Sequence, residues 1–258
     1  MLRGAFYYHL FYRLLLDPFA HAIVCTLVAY LLAPTQFIKV IYQETGKSYS
    51  SIIRRYLQAR KYRCFYAGAH MYALRQFISS FTFGLGLWFF QLSVTYYPIT
   101  HLGLSIVWAC CLVGMLETIV TIASEMREIT ANKGPLMKRK AAYRDIAVPL
   151  LLRNILFNIA AIAPYEFTKE QDNPFMNMIF GIVFGIVVSV LTMPFDLVIT
   201  QNCGSETRMT WISRLKQNIL IEKKLGVIFN GLTMRMLQVI PYSIAHSMVM
   251  LCLEKFTA

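Results

Sequence analysis

Four stretches of this chain contain no Asp, Glu, Lys or Arg at all: residues 18–38, 76–116, 173–195 and 236–253. A helix needs about 20 predominantly apolar residues to cross the hydrocarbon core of a bilayer, and all four stretches meet that length. The run 76–116 is long enough for two spans, with the string Tyr96-Tyr97-Pro98-Ile99-Thr100-His101-Leu102-Gly103 at its middle as a turn. A sixth span, about 146–165, is interrupted only by Arg153. With 57% hydrophobic residues, 15% charged and a mean hydropathy of +0.52, the chain is too apolar for an ordinary soluble domain. The expected fold is an all-α membrane protein of six transmembrane helices.

A net charge of +12 raises the question of nucleic acid, and the placement of the charges answers it. Eighteen of the 25 basic residues fall on three connections, 39–66, 125–145 and 201–230, while the alternate connections hold Lys169 alone. The positive-inside rule puts the three basic connections on one side of a membrane and both termini on the other. Orientation therefore accounts for the charge, and no nucleic-acid surface is expected. The six cysteines have no C-x-x-C spacing, so neither a disulfide framework nor a metal site follows. No Walker loop, G-x-S-x-G or H-E-x-x-H motif is present, which speaks against an enzyme and against a cofactor. The first sixteen residues carry Arg3 and Arg13 with no cleavage site after an apolar region, and read as an amphipathic lead-in to the first span.

The organisation repeats three times: apolar span, basic connection, aromatic-glycine junction, second apolar span. In the first unit Pro34 is followed by a basic amphipathic stretch, 50–59, and then Phe65-Tyr66-Ala67-Gly68. In the third, Pro194 is followed by the amphipathic stretch 210–222 and Phe229-Asn230-Gly231. The second has Tyr143-Arg144-Asp145 at its junction, an abbreviated connection, and Ala123 where a proline is expected. From about residue 17 to 256 this pattern resembles the mitochondrial carrier family. The most specific piece is Pro194-Phe195-Asp196-Leu197-Val198-Ile199-Thr200-Gln201, similar to the family signature P-x-[DE]-x-x-[KR]-x-[RQ] except at Ile199. Pro34-Thr35-Gln36-Phe37-Ile38-Lys39 keeps the proline and the base but has Gln for the acid. In the second unit, counting from Gly114 puts Glu125 at the acid and Glu128 at the base, whereas a slip of one residue uses Arg127 as the base.

The resemblance implies a single carrier domain, 1–258, of three pseudo-symmetric repeats, 17–96, 97–170 and 171–258, around a central cavity, with short amphipathic surface helices on the matrix side. Its matrix gate would be an ion-pair ring at helices kinked by Pro34 and Pro194, with Lys39 pairing Asp196, and with Gln36, Gln201, Glu125 and Arg127 around them. The even-helix pattern [FY]-[DE]-x-x-[KR], for the opposite gate, is matched by Tyr165-Glu166-Phe167-Thr168-Lys169, with Tyr165, Glu166 and Lys169 in its key places. Phe90-Gln91 and Leu253-Glu254 are damaged copies.

An arginine deep in a spanning helix costs at least about 2.5 kcal/mol on insertion scales and is a functional candidate by default. Arg75, Arg153 and Arg235 lie one on each even helix. By resemblance, Arg75 stands at the first substrate contact point, Arg153-Asn154 at the second and Gln238 at the third, with Arg235 a turn earlier. Glu117 is an acid well inside an odd helix; it either pairs with one of these arginines, changes protonation with a transported ion, or is structural. Two guanidinium forks and an amide suit a carboxylate or phosphate. The implied function is alternating-access exchange of a small anionic metabolite across the mitochondrial inner membrane, both termini facing the intermembrane space. A di- or tricarboxylate or keto acid is favoured over a nucleotide, because in the family an arginine with a small polar neighbour at the second contact point goes with such cargo. A nucleotide carrier is one alternative; a transport-incompetent homologue acting as a membrane adaptor is another, given the lost gate charges. The implied partners are the anionic solute and the bilayer, with anionic lipid such as cardiolipin at the matrix-side helix ends, and the implied state is a monomer.

Overall fold

The computed structural model describes the backbone of residues 2–96, 102–134, 143–168, 173–203, 209–221 and 229–257, and side chains within 17–86, 107–134, 143–159, 173–203, 209–220 and 229–249. Residues 97–101 of the turn expected at 96–103, and Lys169, lie outside the described residues, as do the side chains of Tyr165 and Glu166.

Among the described residues the chain is helical with no strand. Six long helices are present: α1 (Leu2–Thr45), α3 (Ala69–Tyr96), α4 (Leu102–Lys133), α5 (Tyr143–Thr168), α6 (Pro174–Asn202) and α8 (Leu232–Thr257). Two short ones, α2 (Tyr49–Gln58) and α7 (Trp211–Lys216), follow α1 and α6. The long helices pack in chain order and α8 returns to α1, so the ring closes.

Burial is inverted relative to a soluble bundle. Leu31 is 78% exposed and Ile119 72%, with Leu27, Trp108, Leu191 and Leu237 also outward, while Gln36, Lys39, Arg75, Glu125, Arg153, Asp196 and Gln238 are buried. An apolar rim around a polar interior suits a hydrocarbon surround, because helices satisfy their own backbone groups there. Three segments among the described residues are long and apolar enough to cross a membrane: Asp17–Thr45, Val107–Lys133 and Met178–Asn202. Inside them, Thr26, Thr118, Thr121, Ser189 and Thr192 return their hydroxyl protons to carbonyls four residues back, so these groups stay satisfied without water.

Small residues bring the backbones together. A Cβ on Gly114 would lie 2.7 Å from the Ile155 side chain and 3.1 Å from its backbone nitrogen, and one on Gly185 would lie 3.1 Å from the Ile240 Cα. Thus α4 meets α5, and α6 meets α8, at positions where no larger residue fits. Pro18 and Pro34 lie inside α1 and Pro194 inside α6, and all three stand within helices that continue past them.

The C-terminal ends of α1, α4 and α6 converge. Lys133, fully buried, places its Nζ 2.7 Å from Glu44 Oε2 and donates to the Cys203 carbonyl, tying the three ends with one ammonium. At the same end α2 is capped by Ser48, whose hydroxyl accepts from the Ser51 amide, and it buries Ile52 against Phe37, Ile38 and Ile41. The helix α7 is capped by Thr210 and runs into a π-helical turn, Gln217–Ile221. Asn230-Gly231 opens α8 with Gly231 at φ +93°, a conformation side-chain-bearing residues rarely adopt. The second connection is abbreviated because only nine residues, 134–142, separate the end of α4 at Lys133 from the start of α5 at Tyr143, whereas 23 residues, 46–68, separate the end of α1 from the start of α3.

Replacing Gly114 by Leu is expected to force α4 from α5 and cost about 1–3 kcal/mol, read as a lower Tm of the purified protein in detergent. An unchanged Tm would contradict the close approach.

Candidate functional site

Gln36 and Lys39 on α1, and Glu125 and Glu128 on α4, are spaced three apart, which puts each pair on one helix face. Both faces turn into the ring and all four residues are buried. The helix α6 adds Asp196, followed by the buried Ile199. Arg75 from α3, Arg153 from α5 and Arg235 from α8 reach the same level.

These groups form one continuous network. Arg153 grips Glu125 with both fork nitrogens, Nη1 to Oε1 at 2.8 Å and Nη2 to Oε2 at 2.9 Å, and its Nη1 also lies 3.0 Å from Asp196 Oδ1. Asp196 Oδ2 takes Lys39 Nζ at 3.2 Å and Arg235 Nε at 3.1 Å. Arg75 donates to Glu125 through Nη1 and places Nε 2.8 Å from Glu128 Oε2. Both Nε contacts, Arg75 to Glu128 and Arg235 to Asp196, are close ion pairs whose N–H directions miss the oxygens, so neither counts as a hydrogen bond. Gln36 donates to Glu128, and Gln238 donates to Gln36 Oε1 at 2.9 Å and to Thr35 at 3.2 Å, tying α8 to α1. The Arg75 guanidinium also sits 5.1 Å from the Tyr72 ring centroid, within cation–π range.

Four cations therefore meet three carboxylates, leaving one positive charge in excess when all are ionised. Such a cluster persists in a dry interior only because every charge has a partner: removing one side of a buried pair costs about 3–5 kcal/mol. Immediately next to it is a narrow cavity of about 30 Å3, whose lining includes Arg75, Arg153, Arg235, Asn154, Gln238 and Glu117. In this state it has room for a few water molecules and none for a metabolite.

No known family model matches the sequence, and no curated protein matches it.

The residues singled out from the sequence distribute unevenly. Lys39, Gln36, Glu125, Asp196, Arg75, Arg153, Arg235 and Gln238 share the cluster, and Asn154 holds its edge by donating to Thr118 Oγ1 at 3.1 Å. The two registers weighed for the second unit are separated by exposure. Arg127 points outward and is exposed, so its expected place in the inner ring is corrected; Glu128 occupies that place, an acid where the signature has a base. Gln201 is half-buried away from the cluster and accepts from Asn218 Nδ2 at 2.8 Å. Nothing in the sequence pattern marks Glu128 as the partner of Arg75, and Lys133, one of the basic residues on the connection 125–145, is buried.

Glu125→Gln is expected to lower stability by about 3–5 kcal/mol by leaving Arg75 and Arg153 short of a carboxylate, whereas Arg127→Ala stays within about 0.5 kcal/mol. Thermal unfolding of the two variants in one detergent checks this. Equal losses would undo the assigned register.

Proposed function

We propose that this chain is a divergent mitochondrial carrier: six spans in three repeats that alternate access to a central site for a small anionic metabolite, in the inner mitochondrial membrane. The buried cluster is then the closed gate on the side of the basic connections. Supporting this are the closed ring of six long helices, the Lys39–Asp196 pair at 3.2 Å and the inverted burial.

The observation that carries the reading is that the arginines lining the cavity are the same ones that neutralise the gate acids. An anion entering the cavity competes with Glu125 and Asp196 for Arg153 and Arg75, so binding loosens the cluster directly. A carboxylate suits these forks through paired N–H···O bonds. The positive excess of the cluster favours an anion over a neutral solute.

A second reading, a transport-incompetent adaptor, is favoured by Ile199 and Glu128, which leave two of the three inner motifs without a base. The two readings separate in proteoliposomes. A carrier takes up at least one anion saturably, and Arg75→Ala and Arg153→Ala each reduce that uptake by tenfold or more, about 1.4 kcal/mol or more. If no member of a panel of carboxylates, keto acids and nucleotides is taken up, or if both variants transport like the parent, the carrier reading falls. A specific ligand-induced rise in Tm is an independent check.

A further inference from the structure

Glu117 faces the same cavity as the arginines, from the opposite end. It stands eight residues before Glu125 on α4, about 12 Å along the helix, and is 6% exposed. Ser79 on α3 donates to its Oε1, and Asn158 on α5 donates to its Oε2 at 3.2 Å. Both donors are neutral. Among the described residues no Lys, Arg or His lies within ion-pair distance of this carboxylate, in contrast to Glu125, Glu128 and Asp196. Each carboxylate oxygen accepts more than one hydrogen bond, so Glu117 has capacity left. A buried carboxylate with acceptor capacity, held in place by two neutral donors and lining a cavity whose other end is guanidinium, is a cation site opposite an anion site.

We propose that the cavity takes a zwitterion, a metabolite bearing both a carboxylate and a primary ammonium group, with the carboxylate on Arg75 and Arg153 and the ammonium on Glu117. This rests on the carrier reading and narrows its substrate class to acidic amino acids and their close relatives, which carry an ammonium group and keep a net negative charge. Glu117, Arg75 and Arg153 line one cavity, so a single small ligand can touch both ends. Ser79 and Asn158 fix the carboxylate in place, so the ammonium meets a preorganised acceptor.

The test is counter-exchange in proteoliposomes with matched pairs: L-glutamate against glutarate, and L-aspartate against succinate. For at least one pair the parent protein is expected to take the amino member with a half-saturating concentration about tenfold or more lower, as a charge-assisted hydrogen bond provides. Glu117→Gln, nearly the same shape, is expected to erase that preference, bringing the half-saturating concentrations of the two members within about threefold of each other, well under the factor such a bond carries. Glu117→Asp, which keeps the charge, retains the preference and guards against misfolding of the amide variant. Arg75-dependent exchange of anions without preference for any amino member overturns this inference and leaves the carrier reading standing. So does a Glu117→Gln variant that weakens both members alike at unchanged Tm. Absence of exchange with every probe, nucleotides and keto acids included, overturns both.

Discussion

Arg153 joins carboxylates from two different helices, Glu125 on α4 and Asp196 on α6, with one guanidinium at 2.8–3.0 Å. Without that cation two buried acids would face each other across the axis, a like-charge contact made costly by the low dielectric. The fork geometry of arginine lets one side chain serve both, where an ammonium would act as a point charge. Lys39 and Arg235 then complete Asp196, and Arg75 completes Glu125 and Glu128. The spacing of the helices at this level follows from the ions, since none of the acids can leave the axis without stranding a cation.

The glycines explain how the arginines get there. Gly114 precedes Glu125, and Gly185 precedes Asp196, by the same eleven residues; Cys25, fully buried, stands in the same relation to Gln36. At Gly114 the α5 backbone touches α4 at Ile155, two residues beyond Arg153. Eleven residues are about 16 Å of helix and two are about 3 Å, so Arg153 and Glu125 are rooted well over ten ångströms apart along the axis and their side chains bridge the gap by reaching toward each other. The equal offsets on α1, α4 and α6 are the part of the threefold pattern that lives in packing rather than in charge.

That reach is why the sequence was legible for the residues and not for their arrangement. The long helices and the ends of α3 and α4 on either side of 97–101 follow from spacing along one chain, whereas the faces at 36/39 and 125/128 and the Lys39–Asp196 contact are what the family resemblance implies. The resemblance gives the arginines of the even helices to a substrate site and the acids to a gate, as two separate groups. Side-chain length, which periodicity does not encode, merges the two groups. The second register was undecidable for a related reason: Arg127 and Glu128 are adjacent, and only the orientation of α4 against α1 selects Glu128 to meet Gln36. Lys133 hid in the count of basic loop residues, since its burial depends on three helix ends meeting.

The merged groups constrain what an occupant must do. Opening the cluster breaks several buried pairs, each worth about 3–5 kcal/mol if a partner is simply removed, while a hydrogen bond to a charged group returns about 1.5–3 kcal/mol. A ligand touching one guanidinium returns little of that; one engaging Arg75 and Arg153 together, each through two N–H donors, returns about 6–12 kcal/mol and so offsets the loss of about two pairs. Such a ligand takes over the role of Glu125 toward both arginines, and the displaced carboxylate becomes free to meet Lys39 or water as the helices part. Under the proposed carrier function, affinity and opening are then the same event, and a small anion that reaches only one arm gains too little to open the cluster.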